Sequence, residues 1–266
     1  VKTAKRSAVR TEIGAAIPIL FACTQPTPTE DSAAKKAAGE PTAEEGAASA
    51  PAAEAPSAPL HAHMQEHFVR VDQLQKAVVA GDLKAAKKHA DWVATHAPHD
   101  DLPAGWKPHV AMMRARARDV LEASELDRAA LATARVAGTC GSCHAANDAD
   151  VKLGAEPEPR PGDGVEDRMR LHQWAADRMW DAVVSRSDEL WEMGVGAMSG
   201  APVAPAALEG EPSEGSKLAA VLDEYRALSE VAKKAATPEA RVEALGAYLS
   251  TCIGCHQVSE QGPEAW

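Results

Sequence analysis

The chain has 266 residues, of which 45% are hydrophobic and 25% are charged, and its formal net charge is −11. This acidity disfavours nucleic acid as a partner, because phosphates attract lysine and arginine, and it favours association with basic proteins. After the N-terminal segment, no apolar run reaches the roughly 20 residues that a membrane-spanning helix needs.

Residues 1–22 have the pattern of a secretory signal peptide. Basic side chains between Lys2 and Arg10 precede a short apolar run, as in the charged and apolar regions of an export signal. The stretch Leu20–Cys23 resembles the lipobox of bacterial lipoproteins, which implies lipidation of Cys23. An ordinary cleaved signal that contains a cysteine is the alternative. The lipobox predicts a lipid-anchored protein on the periplasmic side of a bacterial membrane.

Residues 23–60 are predicted to be a disordered tether that begins at the lipidated Cys23. They are rich in Ala, Pro, Glu, Thr and Ser and contain almost no large apolar side chains. Such a segment buries too little surface to offset the entropy that it loses on ordering. It therefore predicts a flexible connection between a membrane and the folded part of the chain.

The rest of the chain shows helical periodicity and little strand signal, which predicts an all-α fold. We expect two tandem antiparallel four-helix bundles, since four helices with short connections favour that arrangement. The first domain spans 61–153, a linker covers 154–165 and the second domain spans 166–260. The predicted helices lie near 62–80, 82–97, 106–123, 126–146, 166–184, 187–198, 215–234 and 238–257.

The two predicted domains are copies of one unit. Two segments recur at a constant offset of 105 residues: Met64–His67 with Met169–His172, and Ala77–Val79 with Ala182–Val184. Asp82 and Ser187, at the same offset, are residue types that cap helix N-termini well. The repeat predicts two related sites, one in each copy.

Each copy ends in a Cys-x-x-Cys-His motif, Cys140–His144 in the first and Cys252–His256 in the second. This is the attachment pattern of c-type haem. Two thiols three residues apart share a helical face, so each can form a thioether to a haem vinyl group, and the adjacent histidine can bind the iron. The motifs therefore predict two covalent haem c groups, held by Cys140, Cys143, Cys252 and Cys255, with His144 and His256 as iron ligands.

Three alternatives exist for the cysteine pairs. A disulfide within each motif is one, and a structural zinc site is another, although zinc knuckles converge and these pairs lie about a hundred residues apart in separate helical patterns. A thioredoxin-like dithiol is the third, and it needs a strand–helix–strand pattern that is not found here.

With its motif near the end of the fourth helix, each copy resembles the class II c-type cytochromes, the cytochrome c prime group. In that family a first-helix residue faces the other side of the iron. It is often apolar, which leaves the iron five-coordinate, and in some low-spin members it is a methionine that binds. Members often carry an arginine four residues before this position, as Arg168 stands before His172. The resemblance thus implies His172, and by the repeat His67, as sixth ligands, with Met64 and Met169 as alternatives. The remaining alternative is that the two methionines fill the core and the two histidines lie at the surface or contact the haem propionates.

The predicted function is transfer of single electrons outside the cytoplasm by low-spin, six-coordinate haems, without enzymatic activity. The expected partners are periplasmic or membrane redox proteins. A gas-binding haem protein with a vacant or labile distal side is the alternative, and a dihaem peroxidase is disfavoured by the near-symmetry of the copies. Most tryptophans are expected in the core. The remaining histidines are expected on a solvated face, with a competing distal iron ligand or a surface metal site as the alternatives; they are His61, His63, His89, His96, His99 and His109.

Overall fold

The computed structural model describes residues 57–154, 156–160, 162, 164–200 and 216–259, and every regular element among them is helical. No strand occurs in these ranges, so the all-α prediction is confirmed. The eight predicted helices are present, with ends within a few residues of expectation. They are α1 (Ala58–Val79), α2 (Leu83–Thr95), α3 (Lys107–Glu122), α4 (Leu126–Ala146), α5 (Val165–Ser185), α6 (Asp188–Gly200), α7 (Lys217–Lys233) and α8 (Pro238–Ser259).

The turns after α1 and α5 repeat the same local structure. Asp82 caps α2 by accepting a hydrogen bond from the Ala85 amide at 2.8 Å. Ser187 accepts one from the Leu190 amide at 3.1 Å. The residues immediately before these caps, Gly81 and Arg186, have φ angles of 75° and 60°. Both predicted caps are therefore confirmed.

Helix α1 begins at Ala58, so the last three residues assigned to the tether are helical. The cause is local, because Pro59 suits a first helical turn and Leu60 is only 4% exposed. The predicted signal peptide, the lipidated Cys23 and the rest of the tether lie outside the described residues. In the linker, the Trp174 indole donates to the Glu156 carbonyl at 2.9 Å.

Helix packing follows the same order in both halves of the chain. In the first half each helix contacts the next and α4 returns to α1, and in the second half α5 to α8 repeat this order. The halves meet mainly where α4 packs on α8, with further contacts between α4 and α5. One continuous set of buried side chains runs through both halves.

Helices α4 and α8 lie antiparallel along each other. Arg135 and Glu243 pair at 2.9 Å near the middle, and the Ser250 hydroxyl donates to Asp127 at 2.9 Å. Glycines allow the close approach: a Cβ atom on Gly138 would lie 2.7 Å from a Val242 methyl carbon. The Cys-x-x-Cys-His motifs near the two C-termini therefore lie at opposite ends of the helix pair.

Candidate functional site

The two Cys-x-x-Cys-His motifs occupy the last turns of α4 and α8. Their four cysteines are free thiols and partly exposed. In the first motif, Asn147 ends α4 and donates through its side chain to the Cys143 carbonyl at 2.8 Å. The helical backbone places both thiols of each pair on one face, as the spacing predicted.

Burial of the thiol groups keeps them protonated. It raises the pKa of Cys140 and of Cys252 to about 12, and the second thiol of each pair lies close enough to add to the rise. Burial also raises the pKa of Cys143 and Cys255. Redox-active dithiols need the opposite shift. The surroundings therefore argue against a thioredoxin-like role.

Each motif histidine is held by a backbone carbonyl from the other half of the chain. His144 Nδ1 lies 2.8 Å from the Val184 carbonyl oxygen in α5, and His256 Nδ1 lies 3.2 Å from the Val79 carbonyl oxygen in α1. A carbonyl only accepts, so Nδ1 donates in both rings. The neutral imidazole then carries its lone pair on Nε2, the tautomer that a metal-binding histidine needs.

The two carbonyls are equivalent positions of the repeat, since Val79 and Val184 are 105 residues apart. Both lie in the last turn of their helix, where carbonyls lack an intrahelical partner. The histidines supply that partner in both copies. This geometry fits covalent haem: two thiols on one face, followed by an imidazole whose ring is fixed and whose Nε2 is the acceptor atom.

His67, predicted as a distal iron ligand, lies in a group that we call the histidine cluster: His63, His67 and His96. The His67 side chain is 7% exposed, and neither ring nitrogen has a hydrogen-bond partner. Burial, with smaller effects from His63, His96 and Arg114, lowers the pKa of His67 to about 3, so its imidazole is neutral. Trp92 stacks on His96 at 3.9 Å between ring centroids and also contacts His67.

His172, the equivalent residue of the second copy, has a tyrosine as its neighbour. Its Nε2 atom lies 3.2 Å from the Tyr225 hydroxyl, and the two rings stack 5.3 Å apart. The same hydroxyl donates to the Met198 carbonyl. Because that bond uses the hydroxyl proton, the tyrosine oxygen accepts from His172, so Nε2 carries a proton here.

The alternative distal residues, Met64 and Met169, are both partly buried. Met169 packs against the buried side chain of Leu222, together with Leu218.

Burial raises the pKa of Tyr225, and the nearby Cys252 thiol adds to the rise. Tyr225 therefore lies near both His172, on the predicted distal side of the second copy, and Cys252 of its cysteine motif.

The surroundings of the two predicted distal positions differ more than the sequence repeat indicates. Met113 stands 27 residues before Cys140, whereas Tyr225 stands 27 residues before Cys252. His63 in the first copy occupies the place of Arg168 in the second. The near-symmetry expected from the repeat therefore holds for the motif histidines and not for these surroundings.

Several functional candidates could not be recognised from the sequence. The carbonyls of Val79 and Val184 carry no side-chain signal, although the repeat of their segments marks them. His63 and His96 were expected on a solvated face; both are only partly exposed, and their rings pack against each other and against His67. The expectation for the tryptophans is confirmed for the buried Trp174, Trp180 and Trp191.

Comparison with models of known protein families, with curated proteins and with solved structures finds no match to this chain. Among the described residues, no helix combines the length and apolar character needed to cross a membrane. The function is therefore inferred from the motifs and from the geometry around them.

Proposed function

We propose that the protein is a dihaem c-type cytochrome that carries single electrons. The observation that supports this most is the reciprocal pair of bonds from the motif histidines to Val184 and Val79. Two repeated motifs share one ring orientation, and that orientation presents Nε2 for a metal. A structural role for the histidines alone would not require the same tautomer at both ends of the molecule.

The residues of each motif divide the work of holding the group. Cys140 and Cys143, and likewise Cys252 and Cys255, form the thioether links, while His144 and His256 bind the iron. The haem supplies the one-electron couple of its iron. The chain fixes the imidazole ring through a carbonyl, which keeps its direction constant and increases its basicity as a ligand.

The two motifs are well separated. Because Arg135 of α4 lies opposite Glu243 of the antiparallel α8, the centres of the two motifs are about 18 residues apart along the helix pair. This corresponds to about 27 Å at 1.5 Å per residue. Each haem then has its own protein surroundings, and each acts as a separate one-electron site. The unlike distal surroundings favour unequal reduction potentials for the two sites.

The sixth ligands remain predictions. His67 and His172 are the candidates, and Met64 and Met169 are the alternatives. His172 can reach an iron through Nε2 only after it releases the proton that it shares with Tyr225. His67 has no such competitor among its hydrogen bonds, but it lies among other histidines.

We also propose that the protein is anchored outside the cytoplasm through a lipid on Cys23 and exchanges electrons with basic redox proteins. The sequence pattern around Cys23 and the net charge of −11 support this. Replacement of Cys23 by serine should move the protein from the membrane fraction to the periplasmic extract. Retention of the C23S variant in the membrane would contradict the anchor.

The haem proposal is tested by mass and absorption after expression of the full chain with a c-type haem attachment system. We expect a mass increase of two haems and a reduced spectrum of c type. The C140A/C143A and C252A/C255A variants should each keep one covalent haem. A chain that acquires no covalent haem would overturn the proposal.

A second candidate function is binding of a diatomic gas at the second haem. It is favoured by the hydrogen bond between His172 and Tyr225, which holds that imidazole away from an iron-binding tautomer. Carbon monoxide added to the reduced protein should then change the spectrum of one haem. The H172A variant should respond in the same way as the parent. A spectrum that is insensitive to carbon monoxide contradicts this candidate.

A further inference from the structure

The histidine cluster is the only group of three or more metal-ligating side chains with converging ligand atoms in the described part of the chain. One ring nitrogen from each of His63, His67 and His96 can be chosen so that all lie within 4.8 Å of one another. The ring centroids are 4.6 to 5.2 Å apart. Three imidazoles at this spacing can converge on one ion after side-chain adjustments of about 1 Å, given metal–nitrogen distances of about 2.0 Å.

Two helices build the cluster. His63 and His67 are four residues apart on α1, so they share one face of that helix. His96 is the C-cap residue directly after α2, and its backbone carbonyl accepts a hydrogen bond from Arg114 of α3. Trp92 stacks on the His96 ring and fixes its orientation. The three ligands are therefore set by packing and not by a loop.

His67 provides the second observation that points to a ligand. Its side chain is more than nine-tenths buried, and both ring nitrogens lack a hydrogen-bond partner. Leaving a buried polar atom unpaired destabilises the folded chain. A metal ion that binds one nitrogen removes part of this cost. His63 and His96 are partly exposed, which gives an ion access to the buried ring.

We propose that His63, His67 and His96 bind one divalent metal ion such as Zn²⁺ or Cu²⁺, at a site separate from both haem irons. Neutral imidazole is a preferred ligand of Zn²⁺ and Cu²⁺. Three histidines leave a fourth coordination position for water, and the Glu66 carboxylate lies 3.9 Å from His96 Nε2 at the edge of the cluster. Arg114 opposes the ion by its charge, so the proposed affinity is moderate.

The site belongs to the first copy alone. At the position of His63 the second copy has Arg168, whose cationic side chain cannot bind a metal ion. The proposal does not depend on haem attachment, but it competes with the prediction that His67 binds the first iron. One imidazole nitrogen serves one metal, so the two roles can be separated by experiment.

The test uses the purified full chain with its haems, after treatment with a chelator, and ZnCl₂ as the probe. Calorimetric titration should show one Zn²⁺ bound per chain, and the haem absorption spectrum should not change. The H63A and H96A variants should each bind at least about 100-fold more weakly, because a direct ligand counts for no less than the outer-shell partners of metal sites. Both variants keep the buried His67 and should fold.

His61 is the matched control, since it lies two residues before His63 on the same helix and is exposed. The H61A variant should bind Zn²⁺ like the parent. Absence of one-to-one binding would overturn the proposal, and so would equal affinities in the H63A, H96A and H61A variants. A change in the haem spectrum on adding Zn²⁺ also overturns it, because His67 is then an iron ligand. Loss of covalent haem in the parent would sink the proposed function and leave this site testable.

Discussion

Arg178 and Asp181 form an ion pair inside the second half of the molecule. They are 5% and 7% exposed, and the guanidinium lies 2.8 Å from the carboxylate. Burial raises the pKa of Asp181 to about 6 in spite of the opposing charge of Arg178. Because the pKa is raised, the cost of removing the Asp181 carboxylate from water is larger than its attraction to Arg178. Each charge is therefore tolerated only with its partner.

Removal of one partner should therefore be costly. The D181A variant leaves the Arg178 charge buried and unpaired, and we expect a loss of about 3 kcal/mol in the free energy of unfolding, measured with urea. The R178M/D181L double variant replaces the pair by apolar side chains of similar size and should differ from the parent by about 1 kcal/mol or less. A single variant as stable as the parent would contradict this reading of the pair.

Asp177 should make stability depend on pH. Burial raises its folded-state pKa from 3.8 to about 6, with Asp72 adding to the rise and Gln173 and Lys76 opposing it. The folded chain therefore holds this proton more tightly than the unfolded chain. The contribution to stability is complete below about pH 4 and is lost as the pH rises through about 6.

We expect the parent to lose about 1–2 kcal/mol in unfolding free energy relative to the D177N variant between pH 4 and pH 7, allowing for partial screening by solvent. The exposed Asp91 is the control, and its D91N variant should follow the pH profile of the parent. A difference that is constant with pH would show that Asp177 does not titrate in this range.

At the level of helices, the periodic pattern was sufficient to place all eight elements and two of their caps. It was not sufficient to place their partners. The period identifies an apolar face, but many helices can cover that face. The bond from His144 to the Val184 carbonyl is an example, because a backbone acceptor at the end of another helix has no residue-type signature. Its only sequence trace is the repeat that relates Val79 to Val184.

Gly141 sets the distance between α4 and the end of α5. A Cβ atom there would clash with the Val183 carbonyl oxygen, so the backbone of α5 must move in the G141A variant. We expect a loss of about 1–3 kcal/mol in stability. If the haem is bound, we also expect a changed reduction potential at the first site, because the carbonyl that orients His144 shifts with α5.

Gly254 is the matched control inside the second motif. A Cβ atom there meets only a Val221 methyl carbon at 3.8 Å, an ordinary contact. The G254A variant should keep both potentials and gain up to about 1 kcal/mol from better helix propensity. Equal effects of G141A and G254A on stability and potential would contradict the role assigned to the α4–α5 contact.

For the whole molecule, the repeat predicted two domains, and this division remains a prediction. The structure adds a connection that the repeat does not contain. The buried side chains of both halves are continuous, and each motif histidine takes its hydrogen-bond acceptor from the other half. The contact surface of α4 and α8 could not be predicted, because alanine and glycine there look like ordinary helix residues until the partner helix is known.

A continuous core predicts that the two halves unfold together. Gly246 tests this, because a Cβ atom there would lie 2.8 Å from the Leu131 side chain and 3.0 Å from its Cα atom. Overpacking at this contact should cost about 1–3 kcal/mol. We expect the parent to show one urea transition, reported equally by tryptophan fluorescence and by haem absorption. The G246A variant should shift both signals to a lower midpoint by the same amount.

Gly196 of α6 is the control, since it is exposed with open space around its Cα atom. The G196A variant should be as stable as the parent or slightly more so. Two separate transitions, or a shift confined to one signal, would show that the halves fold independently and that the exchanged histidine contacts do not couple them.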